Sequence, residues 1–159
     1  MGDVVASVMK LSQYQIKQFF AKNAPLTQQL CDKEAGRLLG VSVYPTSVQG
    51  GASYTVVSND GSYIVQFRSA SSALDMNILT WVEQAYAGFM PHHEFAGVFG
   101  GLNVYKMRNV SGVSMYLARK ELLHGNAYLL RQTVSDFARY VPVHITHAPL
   151  PPPSRKPRS

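Results

Sequence analysis

The sequence predicts an α+β fold, a five-stranded antiparallel sheet with helices at both ends of the chain and one between its strands, and three observations carry that prediction. Residues 12–39 place Ile16, Phe19, Phe20, Leu26, Leu30, Ala35, Leu38 and Leu39 at helical spacing, interrupted once at Pro25. Residues 41–68 hold three runs rich in Val, Tyr and Thr, separated by Gly50-Gly51 and by the turn Asn59-Asp60-Gly61. EFAGVFGGLNVYKM, further along, repeats strand chemistry on both sides of Gly100-Gly101.

The elements follow in order. An N-terminal helical segment precedes strands at Val41–Val48, Tyr54–Ser58 and Tyr63–Arg68, which form a meander. SSALDMNILTWVEQAYAGF then sets Leu74, Ile78, Leu79, Val82 and Ala85 on one helical face. Ser71 or Ser72 is placed to cap this helix, Gly88 and Pro91 to end it, and the helix is expected to cross the sheet. Two more strands surround Gly100-Gly101, Arg108–Gly112 is a short linker, and Leu122, Leu123, Leu129, Leu130, Val134, Phe137, Ala138 and Val141 mark a C-terminal helix. At Pro142 the composition turns to proline and basic residues. Residues 1–141 therefore read as one folded unit and 142–159 as an extended or disordered tail.

Composition narrows the function classes. With 159 residues and 46% hydrophobic content, one domain can bury a full core without staples. Cys31 is the single cysteine, so no intrachain disulfide forms and a reducing compartment is the simplest setting. The opening MGDVVASVMK has no signal-peptide pattern and carries Ala6 where a myristoylation signal wants a hydroxyl. Every uncharged run is too short to span a bilayer, and the expected setting is cytoplasmic, with no membrane partner. The net charge of +6 suggests an anionic partner, but Arg155, Lys156 and Arg158 in the tail supply half of it. A nucleic-acid binder needs basic residues clustered with aromatics along one element; this chain lacks that pattern, so no nucleic-acid partner is expected.

The stretch QGGASYTVVSNDGSYIVQFR, Leu74-Asp75, GGLNVYKMRNVSGVSM and RQTVSDFARY, in that order, resemble the aminoglycoside phosphotransferase and choline kinase family, in particular its fungal members, over residues 12–141. The resemblance implies the small lobe of a protein-kinase-like fold with part of an ATP pocket. It gives Gly50 and Gly51 the task of bringing backbone amides to phosphate oxygens, with Ser53 adding a hydroxyl. Read from the residues alone, the glycine pair equally suits a hairpin turn with positive φ at one glycine. The resemblance makes Arg68 the phosphate-pairing cation, a role for which a guanidinium suits bidentate contact. Its carboxylate partner on the crossing helix is Asp75 or Glu83, with Glu83 the one expected. It also makes residues 106–112 the hinge, where backbone groups of Lys106, Met107 and Arg108 meet the adenine edge while Val48 and Val65 cover its faces.

The family's catalytic chemistry is not matched. A member of this family needs a catalytic-loop aspartate, an asparagine five residues later and a second aspartate for Mg²⁺. His124-Gly125-Asn126 resembles the start of the family's His-Gly-Asp, but Asn126 stands at the carboxylate and Arg131 at the asparagine. Asp136-Phe137-Ala138 resembles the metal-binding segment, yet follows Asn126 too closely to leave room for a loop and hairpin. Both fragments fit one amphipathic helix instead. The expectation is a chain cut off before the family's active site, with no catalytic residue and no metal site, binding ATP weakly and holding no Mg²⁺. His144 and His147 lack further ligands for a metal, and the tail's Pro149 and Pro152 have only the short PxxP spacing of chance. The alternative is a non-enzymatic interaction module, with residues 117–141 as the surface for a homodimer or a protein partner.

Overall fold

The computed structural model describes residues 2–86, 90–110, 112 and 117–145. The described chain is α+β, with four α-helices and a five-stranded antiparallel sheet. It divides into two compact units: Met1–Leu74 with Pro91–Leu117, and Asp75–Met90 with Ala118–Ser159.

In the first unit, α1 (Gly2–Lys22) and α2 (Gln28–Leu39) precede β1 (Val43–Pro45), β2 (Ser53–Ser58), β3 (Tyr63–Arg68), β4 (His93–Phe99) and β5 (Leu102–Arg108). The sheet order is β1-β2-β3-β5-β4. Helix α1 begins ten residues before the expected segment and buries a stripe of Val8, Ser12 and Phe19, with Ile16 half-buried between them. The α1–α2 connection carries a cis Ala24–Pro25 peptide. Thr27 caps α2 by accepting a hydrogen bond from the Leu30 amide at 3.3 Å, and Gly40 ends it in the left-handed conformation (φ 70°).

Strand alternation divides the sheet. Tyr54, Val56, Val65, Phe67, Leu102 and Val104 face α1 and α2 and form the core with Phe19, Cys31 and Ala35. Within it the Tyr54 hydroxyl donates to Asp32 at 2.6 Å, which satisfies the one polar atom of a fully buried ring. Burial pushes the Cys31 thiol up to about 12, so it stays protonated and acts as a small apolar group. The opposite face carries three rows across the sheet: Ser53, Arg68, Asn103 and Val98; Thr55, Gln66, Tyr105 and Phe95; Val57, Ile64, Met107 and His93.

Both tight turns form where the sequence places them. Asp60 accepts from the Ser58 hydroxyl at 2.5 Å and the Ser62 amide at 3.1 Å, with Gly61 at φ 73°. Gly100 and Gly101 both have positive φ, 56° and 86°, the requirement of a two-residue hairpin loop. The first strand is shorter than expected, three residues instead of Val41–Val48. Pro45 has no N–H to continue the ladder, and beyond Thr46 the side chain of Gln49, described below, takes over the pairing with Thr55.

In the second unit, α3 (Met76–Ala85) is capped by Asp75, which accepts from the amides of Asn77 and Ile78 at 2.9 and 3.1 Å. This corrects the assignment of the cap to Ser71 or Ser72, which instead belong to a short 3₁₀ turn, Ala70–Ser72. A carboxylate accepts two amides at a helix start where a hydroxyl usually accepts one. Helix α4 (Arg119–Ile145) is not the single helix the apolar periodicity predicts. Its backbone leaves helical geometry at His124, Gly125, Asn126 and Ala127, the last three with φ between 56° and 60°. Gly and Asn tolerate that conformation, so local chemistry overrides the periodicity. The helix also runs through Pro142 to Ile145, past the expected start of the tail, although a proline inside a helix removes one backbone donor and crowds the carbonyl four residues back. Residues 146–159 lie outside the described residues. Among the described residues no helix is long and apolar enough to cross a membrane.

Candidate functional site

The loop from Thr46 to Ala52 is organised around the Gln49 side chain, which is 6% exposed. Its Oε1 accepts from the Thr55 amide at 3.0 Å, and its Nε2 donates to the Thr55 carbonyl at 2.6 Å. One side-chain amide thus reproduces a backbone rung against β2. The same Nε2 reaches the Thr46 carbonyl at 3.2 Å and hydroxyl at 3.0 Å, and the Thr46 hydroxyl donates to the Val48 carbonyl at 3.0 Å. Helix α1 adds two bonds through Ser12, whose hydroxyl donates to the Ser47 carbonyl at 2.9 Å and accepts from the Gln49 amide at 3.2 Å.

With its first half so fixed, the loop turns outward at Gly50, Gly51 and Ala52. All three are exposed, and among the described residues their N–H groups meet no acceptor. Neither Gly50 nor Gly51 has positive φ, which removes the turn explanation for the glycine pair. At Gly51 a Cβ would stand 2.9 Å from Gln15 Oε1 on α1, the far end of a flexible side chain that can move aside, so the distance marks the loop's nearness to the helix and not a need for glycine.

Arg68 lies across from Ser53, on the same face of the sheet. Its Nε donates to Gln66 Oε1 at 2.6 Å, and Gln66 Nε2 donates to the Thr55 hydroxyl at 3.1 Å. Its Nη1 donates to the Ser72 carbonyl at 3.1 Å, while the Ser72 hydroxyl donates to the Ala52 carbonyl at 2.9 Å. Ser72 therefore ties the guanidinium to the glycine loop. Nη2 has no partner among the described residues. Among the described residues named here the corner combines three backbone amides and a cation, with no carboxylate. Such a donor set suits an anion and is unsuited to a metal ion. Among the described residues no group of three or more His, Cys, Asp or Glu side chains gathers anywhere.

The expected site residues are only partly brought together. Gly50, Gly51, Ser53 and Arg68 share the corner. Lys106 and Met107 lie within a strand and not in an open connection. They sit inside β5, flanked by Val65 and Ile64 of β3 on one side and Glu94 and His93 of β4 on the other. Alternation sends the Lys106 side chain to the helix-bearing face, where Nζ is 3.4 Å from Glu94 and 5.3 Å from the centre of the Tyr63 ring. Arg108 is exposed at the end of the strand opposite Tyr63. Val65 is 0% exposed in the core beneath α1 and α2, so it is not a cover for a bound ring; Val48 is exposed on the loop. Glu83 is half-buried on α3, in the second unit, and Asp75 is the α3 cap. Asn126 lies in the break of α4 and Asp136 on the helix after it.

Three residues of the corner escape sequence reasoning. Gln49 is marked only by the glycines that follow it, Ser72 has the chemistry of a helix cap, and Ser12 is a single serine with no motif around it. An open groove of about 400 Å³ between α1 and α2, lined by Ile16, Lys17, Phe20, Leu26 and neighbours, includes no corner residue. Comparison with known protein families, with curated proteins and with solved structures gives no match.

Proposed function

We propose that this chain carries a phosphate-binding corner, formed by the amides of Gly50, Gly51 and Ala52 with Arg68, and that the corner takes the phosphate groups of a nucleotide such as ATP. The observation that supports this reading is the tie through Ser72, which holds exposed loop amides and a partly engaged guanidinium at one end of the sheet. The amides supply directed donors and Arg68 supplies charge, the pairing that favours a phosphate over a neutral ligand. The likeness to the aminoglycoside phosphotransferase and choline kinase family makes ATP the natural candidate, and a small lobe of that kind the parent architecture.

Bound at this corner, a triphosphate is held and oriented by the chain without being activated. Asn126 is no base, and none of the residues named in the corner carries a carboxylate to anchor Mg²⁺. The chain by itself is therefore a weak ATP binder, high micromolar at best, and transfers no phosphoryl group. A rise in melting temperature with ATP that Arg68→Ala abolishes supports this assignment; phosphorylation of a small hydroxyl substrate by the purified chain contradicts it.

A second reading has its own observation. Leu123, before the break in α4, and Tyr128, Leu129, Val134 and Phe137, after it, are all exposed, an unusual number of large apolar side chains for so short a stretch. They support self-association through residues 117–141, with a second copy of this chain as the partner. Light scattering after size-exclusion chromatography separates a dimer from a monomer.

A further inference from the structure

The phosphate-binding corner depends on a part of the chain that contributes nothing to it directly. Helix α1 reaches the glycine loop at two points. Ser12, 7% exposed, sits on the buried stripe of α1 yet is polar, and both functions of its hydroxyl go to the loop: it donates to the Ser47 carbonyl and accepts from the Gln49 amide. One turn on, Gln15 lies against Gly51, with Oε1 2.9 Å from the position of a Cβ on that glycine. A core position on an amphipathic helix ordinarily holds an apolar residue, because a buried hydroxyl adds stability only when its partners are supplied. Here both partners are backbone groups of one loop, at residues 47 and 49, immediately before the exposed residues Gly50, Gly51 and Ala52.

We infer that Ser12 is the positioning residue of the glycine loop, and that α1 acts as a strap fixing the direction in which the amides of Gly50, Gly51 and Ala52 point. The inference rests on the phosphate-binding reading. The geometry explains why two such bonds are placed here. Gln49 holds the loop to β2, but its amide anchors only the stem, at Thr46 and Thr55. Without Ser12 the segment from Ser47 to Gln49 loses its hold on the helix. The three outward amides then sample several directions, and a phosphate must order them as it binds. Ordering on binding lowers affinity by the fraction of time the loop spends in the competent form.

The test uses the full chain, with inorganic tripolyphosphate as the probe, and two independent readouts. Backbone amide exchange without ligand reports the loop, and calorimetric titration reports binding. Ser12→Ala is expected to raise exchange at Gln49 and to weaken tripolyphosphate binding roughly tenfold, the loss equivalent to one or two hydrogen bonds. Ser12→Thr, which keeps the hydroxyl, is expected to restore both. Unchanged exchange at Gln49 in Ser12→Ala overturns the inference. So does faster exchange with undiminished binding, because Ser12 is then structural. If the wild-type chain binds no tripolyphosphate while Ser12→Ala still accelerates exchange at Gln49, the phosphate-binding reading has failed, and the inference falls with it. Should Ser12→Ala fail to fold, Gln15→Ala, which removes the α1 side chain that lies beside Gly51, tests the strap instead, and a twofold or smaller change in binding with no change in loop exchange overturns the inference.

Discussion

Replacing Gln49 by Ala removes the amide that holds the glycine loop to the sheet, and the consequence can be worked from the contacts. Gln49 makes two strong bonds with Thr55, at 2.6 and 3.0 Å, and two to Thr46, at 3.0 and 3.2 Å. The Thr55 carbonyl keeps another donor, the Thr46 amide at 3.1 Å, so its loss is modest. The Thr55 amide has Gln49 Oε1 as its acceptor and is left in a half-buried position. A net hydrogen bond is worth about 1 kcal/mol and an orphaned buried donor adds about 1–3 kcal/mol, so Gln49→Ala should destabilise by roughly 3 kcal/mol. For a chain of this size that corresponds to a melting temperature lower by roughly 6–12 °C. Gln49→Glu sharpens the test: it keeps an acceptor for the Thr55 amide but turns an oxygen toward the carbonyls of Thr46 and Thr55, and should be no more stable than the alanine variant at neutral pH. Equilibrium urea unfolding of the three proteins gives the numbers. A loss below about 0.5 kcal/mol for Gln49→Ala, the range of ordinary surface substitutions, would refute the reasoning that this amide replaces a strand rung.

Other outcomes follow from the same contacts. Arg68→Ala should abolish the ATP-induced thermal shift while lowering the ligand-free melting temperature by only a few degrees, since the guanidinium loses two partly exposed hydrogen bonds; unfolding of this variant would make Arg68 structural. Burial holds the Asp32 carboxyl above its ordinary range, opposed in part by hydrogen bonds from Tyr54 and Gln28. A raised folded-state value means the folded chain holds its proton more tightly, so this group lowers stability as pH rises from about 4 toward the raised value. Asp32→Asn should therefore flatten the stability–pH profile in that window and raise stability at neutral pH, and a steeper profile in the variant would contradict the assignment. Phe137→Glu with Leu129→Glu should convert any dimer to monomer in light scattering, and an unchanged assembly would place the contact elsewhere.

Sheet and turns were legible in the sequence because their signals are local. Tyr63–Arg68 alternates cleanly, Gly61, Gly100 and Gly101 occupy positions that need positive φ, and the strands they join form as expected. The glycine pair at Gly50-Gly51 was legible only as a question. Which way a loop turns depends on contacts distant in sequence: Ser12 lies 35 residues from Ser47, and nothing near either residue announces the pairing. Strand alternation puts Val65 and Lys106 on the helix-bearing face of the sheet, whereas their role as adenine contacts comes from the family likeness alone. In α4 the apolar periodicity concealed a break that His124-Gly125-Asn126 announces, since Gly and Asn are the residues that leave a helix most readily. Asp75 competes with Ser71 and Ser72 as a cap in the sequence, and only the backbone shows which of them the helix follows.

The most direct test of a phosphate-binding corner is an amide-resolved NMR titration of the 159-residue chain with ATP in the absence of added metal. The account predicts saturable shifts centred on the amides of Gly50, Gly51 and Ala52, with a smaller response at Ser53 and at the Arg68 side chain. The midpoint should lie in the high micromolar range or weaker, and Arg68→Ala should lose the response. Shifts absent from residues 50–52 at millimolar ATP, or confined to the basic residues of α1, would contradict it.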